Sequence, residues 1–435
     1  MRKIILSTCF IVFNTLLISS QTHDEISLNE FLSAVEKNNY SIKISEKDIQ
    51  GAQADYRQSN SVFLPKITVS HTAISTTNPL MAFGSKLNQE ILTNEDFDPR
   101  VLNDPSGIEN FSTILEMAQP LFNADAIQMR KAAKVKINAF ELQSSHLKSY
   151  LKLEAYKAFM QLQLTHQVLK TLKHAQNTAL KNREVLENFY DQGLAQKVDV
   201  LGMQVHEASI QNKLMNAQNR LQTSSNMIHY LMGSEETKVI SPSEPLQIQD
   251  TVNHYSGELP VGRNDIAAMD TNYKAHEYLY KSAKRAIIPR LNAFAQYELH
   301  DKNLFGTKAK GHLIGAQLSW DIFEGYKRIG KIQKNKIELE KIALERDQYF
   351  NKSQMELSQT IRQFNTLKQQ LELSKLVLKQ AEESLRIRKN RFEEGLDKTT
   401  DLLESESMYL NKKLEYLNTV FQYNLTKAKL DFLTK

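Results

Sequence analysis

Cysteine is all but missing from this chain of 435 residues: there is one, at position 9. A disulfide framework and a thiolate metal cluster are therefore excluded. Turn formers are scarce too, at 14 glycines and 9 prolines, where sheet-rich enzymes of this size use more of both. Neither charge sign dominates, since 55 Lys and Arg stand against 50 Asp and Glu for a net +5. No segment is basic enough to form a nucleic-acid face. A mean hydropathy of −0.46 leaves no room for a bundle of membrane-spanning helices, each of which needs about 20 apolar residues in a row. Enzyme signatures are missing as well. There is no Gly-rich phosphate loop, no His-x-x-x-His pair and no Gly-x-Ser-x-Gly elbow. The 11 histidines are scattered, and His166, His174 and His206 read as helix-surface residues rather than ligands.

One apolar run stands at the start. Arg2 and Lys3 precede Ile4 to Ile18, and Ser19-Ser20-Gln21 follow. Charged, apolar, then small is the order of a secretory signal peptide, so residues 1–20 are read as a leader and the mature chain as exported. Cys9 leaves with it, and losing Arg2 and Lys3 takes the net charge from +5 to +3.

The rest of the chain repeats itself. Tyr190-Asp191-Gln192-Gly193-Leu194 recurs as Phe392-Glu393-Glu394-Gly395-Leu396, an offset of 202 (392 − 190). The same offset pairs Asp199 with Asp401, Leu201 with Leu403, and Tyr230-Leu231 with Phe432-Leu433. Earlier, Gln119-Pro120-Leu121-Phe122 answers Trp320-Asp321-Ile322-Phe323. Phe63-Leu64-Pro65-Lys66-Ile67 answers Ile287-Ile288-Pro289-Arg290-Leu291 at an offset of 224 (289 − 65). The first half thus carries extra residues, which fall in the Asn78 to Asn110 stretch, rich in Asn, Asp, Pro and Gly and read as a long loop. The boundaries that follow are a first repeat at 21–233, a linker at 234–262 holding Pro242, Pro245 and Pro260, and a second repeat at 263–435.

Each repeat has one order: a helical segment ending before a proline, two strand-like runs, then a long helical region without proline. Gly193 and Gly395 divide those regions into helices of about 65 and 40 residues, or roughly 100 and 60 Å at 1.5 Å per residue. Such helices must pack side by side. Leu357, Phe364, Leu371, Leu378, Leu385 and Phe392 recur every seven residues, with Leu367, Ser374 and Ala381 between them, which is a coiled-coil seam. The matching seam of the first repeat (Leu162, Leu169, Leu172, Ala179, Leu186) is interrupted by Gln176 and Arg183.

Four runs alternate with period two: Lys66 to Thr76, Phe111 to Leu121, Arg290 to His300 and His312 to Ile322. Each is about ten residues, the length of a tilted strand crossing an outer membrane, with one apolar and one polar face. A soluble sandwich accounts for any single run. Together, four strands leave open edges that lipid does not tolerate, and they fall short of the roughly eight strands of a membrane barrel. Several chains must then share one barrel; two copies give eight strands and three give twelve.

At this point the chain resembles the TolC-type outer-membrane factors over essentially its whole mature length. The signature [Tyr/Phe]-x-x-Gly-[Leu/Thr]-x-x-x-x-Asp occurs at Tyr190 to Asp199 and at Phe392 to Asp401. The resemblance implies a mainly α fold with a membrane β-barrel: a homotrimer whose coiled-coil helices form an α-barrel tunnel through the periplasm, joined to a twelve-stranded barrel in outer-membrane lipid. It implies a passive exit duct for efflux or type I secretion, coupled to an inner-membrane pump through a periplasmic adaptor, with no cofactor and no catalysis. The loops at Asn78 to Asn110 and Asp301 to Lys310 would face outside, and 234–262 would lie near mid-tunnel. By the same likeness, Gln192-Gly193-Leu194 and Glu394-Gly395-Leu396 are the tips where adaptors dock. Asp199, Asp401 and Glu404 correspond to the acids of the periplasmic entrance.

Two positions depart from the best-known members, with Val198 in place of a polar residue and Asp397 in place of an Arg. The expectation is a closed state held by other contacts, with Lys197 and Lys398 as candidates. The competing readings are a periplasmic coiled-coil adaptor, which needs one helical hairpin rather than two, and a structural coiled coil of an export system, which leaves the strands unexplained.

Overall fold

A computed structural model describes residues 24–249, 255–260 and 262–434; the expected leader at 1–20 lies outside them. The elements in chain order are β1 (Asp24–Ile26), α1 (Leu28–Asn38), α2 (Tyr40–Gln58), β2 (Lys66–Thr76), α3 (Pro79–Asn88), α4 (Pro99–Asn103), β3 (Ile108–Phe122), α5 (Ala124–Asp191), α6 (Lys197–Met232), β4 (Ile240–Pro242), α7 (Asn264–Arg285), β5 (Arg290–Asp301), β6 (Ala309–Ser319), α8 (Lys327–Glu393) and α9 (Thr399–Leu433). The proline-free stretches form helices of 68 and 36 residues in α5 and α6, and of 67 and 35 in α8 and α9. Among the described residues, no helix is long and apolar enough to cross a membrane. The chain divides into two compact units.

Among the described residues, one unit consists of 24–40, 149–249, 255–257 and 358–434. Its core joins Leu162, Leu169, Leu172 and Ala179 of α5 to Ile210, Leu214, Leu221 and Ile228 of α6, with Phe31 and Val35 of α1 closing one side. Removing each large apolar side chain from water contributes about 1.5–3 kcal/mol. The residues interrupting this seam are paired across to α6: Gln176 donates to Gln211, and Nη1 of Arg183 lies 2.6 Å from Oε2 of Glu207. A second core sets Leu367 and Leu371 of the heptad against Leu417, Val420 and Phe421 of α9 and Met160 and Leu164 of α5.

The segment after α6 is tied down by side chains. Ser225 accepts the Ile240 N–H at 3.0 Å, β4 pairs in parallel with β1, and Asn424 both accepts from the Gln249 N–H (3.1 Å) and donates to the Gln247 carbonyl (2.7 Å).

The other unit consists, among the described residues, of 41–148, 258–260 and 262–357. Its sheet has the order β2-β3-β5-β6, every neighbour antiparallel. Cross-strand partners share a face, so the register sorts the side chains. Ile67, Met117, Ala295 and Ile314 form one row; Val69, Leu115, Tyr297 and His312 form the next. The opposite face carries rows such as Thr68, Glu116, Gln296 and Leu313. The alternation expected from the sequence is thus an apolar face and a mainly polar face. The apolar face is bare in the single chain, with Ile314 74% and Val69 66% exposed. On the polar face the Phe294 ring lies over Gly315, where an added Cβ would meet it at 2.6 Å.

Three local expectations are corrected. The last strand spans Ala309–Ser319 rather than His312 to Ile322, because Trp320 leaves the ladder and donates its Nε1–H to the Ile287 carbonyl at 3.0 Å. β3 spans Ile108–Phe122 rather than Phe111 to Leu121, and its register slips between Pro120 and Phe122, where proline supplies no N–H. The stretch 78–110 is not a plain loop. Asn78 caps α3 by accepting the Met81 N–H (3.1 Å) and Asp98 caps α4 by accepting the Arg100 N–H (2.8 Å), each with proline at the first helical position, which suits proline. Lys86 then binds Asp96 at 2.7 Å.

Beside the sheet, Asp125 at the start of α5 receives Arg290 at 2.8 Å. At the start of α7, Asp265 accepts Nε of Arg263 at 3.0 Å and the Tyr349 hydroxyl at 2.6 Å. Burial works against the Asp265 carboxylate, but the Arg263 and Tyr349 hydrogen bonds outweigh it and bring its pKa down to about 2. Burial and the adjoining Asp265 push Tyr349 up to about 12.

Candidate functional site at the paired helix turns

Both signature glycines terminate long helices in the same way. Gly193 has φ +75° and Gly395 φ +74°, the left-handed region that glycine enters without steric cost. At the first turn the Gly193 N–H reaches the Tyr190 carbonyl at 2.9 Å and the Leu194 N–H the Phe189 carbonyl at 2.8 Å. At the second, Gly395 reaches Phe392 at 2.9 Å and Leu396 reaches Arg391 at 2.8 Å. These paired bonds satisfy carbonyls that a helix end leaves orphaned. Behind the turns a small core joins all four long helices: Leu186, Val200, Met203, Phe392 and Leu402. In front, Gln192 and Glu394 are exposed, and Leu194 and Leu396 stand out at 73% and 63% exposure.

The signature aromatics have different surroundings despite equivalent places. Phe392 is buried in the core, whereas Tyr190 is 40% exposed with the Lys197 ammonium 5.2 Å above its ring. Asp199 accepts the Gln196 backbone N–H at 3.2 Å, which places it at its own helix start, where a negative charge is favoured. Asp401 and Glu404 lie one turn apart on α9, Asp401 half-buried and Glu404 exposed.

The contacts at the second turn come from arginines. The Asp397 side chain is only 4% exposed; it receives Nε of Arg391 at 2.8 Å and Nη1 of Arg388 at 3.1 Å. The Arg391 hydrogen bond, with help from Arg388, holds the Asp397 carboxyl below the usual carboxylate range. Arg388 also lies 3.7 Å from Oδ2 of Asp401. The hydrogen bond to Asp397, and then the charges of Asp397, Asp401 and Glu404, raise the pKa of Arg388. Lys398, the other candidate, is the N-cap residue of α9, and its carbonyl accepts the Asp401 N–H at 3.1 Å.

The sequence matches the family profile described as outer membrane efflux protein over residues 31–234 and 257–434. The chain belongs to that family. No curated protein sequence matches it. Among solved structures, the CmeC outer membrane channel of Campylobacter jejuni has a TM-score of 0.81 at 15% identity, over 93% of this chain and 85% of that one. A membrane protein from Pseudomonas aeruginosa gives 0.80 at 16% identity, over 93% and 92%. VceC, an outer membrane protein from Vibrio cholerae, gives 0.76 at 19% identity, over 93% and 94%. This outer membrane efflux protein therefore shares, over almost its whole length, the fold of known outer-membrane channels.

Sequence reasoning about this efflux protein overlooked Arg388 and Arg391. The available signal was their place, within ten residues upstream of the unusual Asp397. His206 is a further correction: it is not a helix-surface residue. Its side chain is 12% exposed and its Nε2 lies 3.2 Å from Oε2 of Glu406, whose Oε1 accepts from Asn182 at 2.6 Å. Three helices meet there, and the periodicity of one helix does not reveal it.

Proposed function

We propose that this efflux protein is the passive exit duct of a tripartite efflux or type I secretion system, working as a homotrimer. The observation that carries this is the four-stranded sheet, apolar on one face and open at both edges, in a chain of an outer-membrane family. Lipid does not tolerate unpaired strand edges, and three copies supply the twelve strands of a closed barrel. The chain is read as a duplication, with repeats at 21–233 and 263–435 joined by 234–262. Its long helices form the periplasmic tunnel.

In this reading the two glycine turns are the tips that meet a periplasmic adaptor, which in turn engages an inner-membrane pump. Exposed Leu194 and Leu396 supply the apolar contacts of that docking. Asp199, Asp401 and Glu404 stand at the entrance, where rings of carboxylate favour cations.

Planar-bilayer recordings of the purified protein test the duct. The expected result is a conducting pore whose cation preference falls in the Asp401→Asn, Glu404→Gln double variant. A non-conducting protein would overturn the duct, and an unchanged preference would overturn the entrance assignment.

A further inference from the structure

The apolar face of the sheet changes character toward its hairpin ends. Going up the register, the row Ile67, Met117, Ala295, Ile314 is wholly apolar; the next ends in Tyr297 and His312; the next reads His71, Thr113, Leu299, Lys310. Lys310, His312 and His71 are all exposed. Above them the β5–β6 turn folds back over this face. Phe305 brings its ring 4.7 Å from His71, with 72% of the residue still exposed. It does so at φ +58°, an unfavourable conformation for a bulky side chain that tends to persist where function requires it.

Nearby carboxylates do little to neutralise the lysine. Asp301 accepts the backbone N–H groups of Asn303 (2.9 Å) and Lys308 (3.1 Å) within the turn. Glu298 is turned to the other face beside His300. Glu109 sits on β3 opposite Ser75, two rows beyond His71.

We propose that this rim is a binding site for the phosphorylated headgroup of an outer-leaflet lipid. Lys310 supplies the charge, His312 and His71 the hydrogen bonds, Phe305 and Tyr297 the aromatic shelf, and the rows below receive the acyl chains. Cation, aromatic and apolar surface follow one another in the order an anionic amphiphile presents phosphate, interface and chain. The basic positions lie on β2 and β6, the two edges of the sheet. Closing the barrel brings those edges together, so each seam between copies would carry one site. The inference rests on the sheet being a barrel wall.

Native mass spectrometry of the full-length protein, purified in detergent and titrated with bisphosphorylated lipid A or phosphatidylcholine, tests it. Lipid A adducts should outlast phosphatidylcholine adducts. Lys310→Ala should weaken their retention about fivefold, the factor one lysine contributes near an anionic lipid surface. Lys310→Arg should restore it, and Lys334→Ala on α8 should leave it unchanged. Equal retention of both lipids, or an equal loss in Lys334→Ala, would overturn the site. Displacement by millimolar inorganic phosphate would overturn the lipid in favour of a free anion. Failure of the protein to fractionate with membranes would instead remove the barrel reading itself.

Discussion

Arg391 and Asp397, six positions apart, brace the second helix turn from either side, with Nε donating to Oδ1 at 2.8 Å. The ion pair is made within one chain, so it needs no neighbour to form. A carboxyl held below its ordinary value contributes stability above that value and loses it as pH falls. Acidification below about pH 4, the ordinary Asp range, should therefore loosen residues 388–401. Hydrogen exchange of that turn against pH is the measurement, and Asp397→Asn should show the loosened exchange already at neutral pH.

Arg388 stands between Asp397 and Asp401 and offsets part of the negative charge assigned to the entrance. Arg388→Ala should raise the cation preference of the reconstituted pore, opposite in sign to Asp401→Asn. Reversal potentials under a salt gradient would measure both. An unchanged preference in Arg388→Ala would mean that this guanidinium does not face the permeation path.

The glycine turns make a conformational prediction. Alanine at 193 or 395 must hold a positive φ, at a cost of roughly 1–2 kcal/mol each. No other group would be crowded, since open space surrounds both positions. The helical circular-dichroism melt should shift only slightly. Cross-linking of a cysteine placed at Leu194 or Leu396 to an adaptor should fall more sharply.

Leu402 is fully buried in the small core behind the turns. Leu402→Ala removes its packing and leaves a cavity, so about 2–5 kcal/mol should be lost. Limited proteolysis at the turns should accelerate accordingly, and unchanged cleavage would show that this core does not hold them.

The Arg263–Asp265–Tyr349 cluster sets a pH window for its own unit. Asp265, depressed to about 2, stabilises above pH 3.8 and loses that contribution as pH falls toward 2. Tyr349, raised to about 12, contributes fully below pH 10 and loses its share as pH rises to 12. Asp265→Ala removes the carboxylate that Arg263 and Tyr349 share and should cost about 3–5 kcal/mol. A thermal melt near pH 7 would register the loss.

Much of this fold was legible because it is written in periodicities. The absence of proline, with Gly193 and Gly395 as breaks, set the helix lengths to within a few residues, and the alternation of Lys66 to Thr76 matched β2 at both ends. Where two rules compete, sequence was a poorer guide. Asn78-Pro79 and Asp98-Pro99 read as loop chemistry, yet a capping residue followed by proline also begins a helix, and there it does. The helix turns at Gly193 and Gly395 were legible in the sequence, and the ion pairs beside them were not. Arg388 and Arg391 lie in a helix crowded with charge, and only the chain's reversal at Gly395 brings Asp397 back to them.

The pairing of β3 with β5 carries a consequence for how the molecule comes together. Phe122 meets Leu291 across 169 positions (291 − 122), with α5, α6 and α7 in between. Closing so long a loop is slow, because its entropy is lost before the ladder forms. Helices form in microseconds or less from local contacts. The folding chain should thus pass through a stage of formed helices with two separate hairpins, its apolar sheet face unfinished until the hairpins meet.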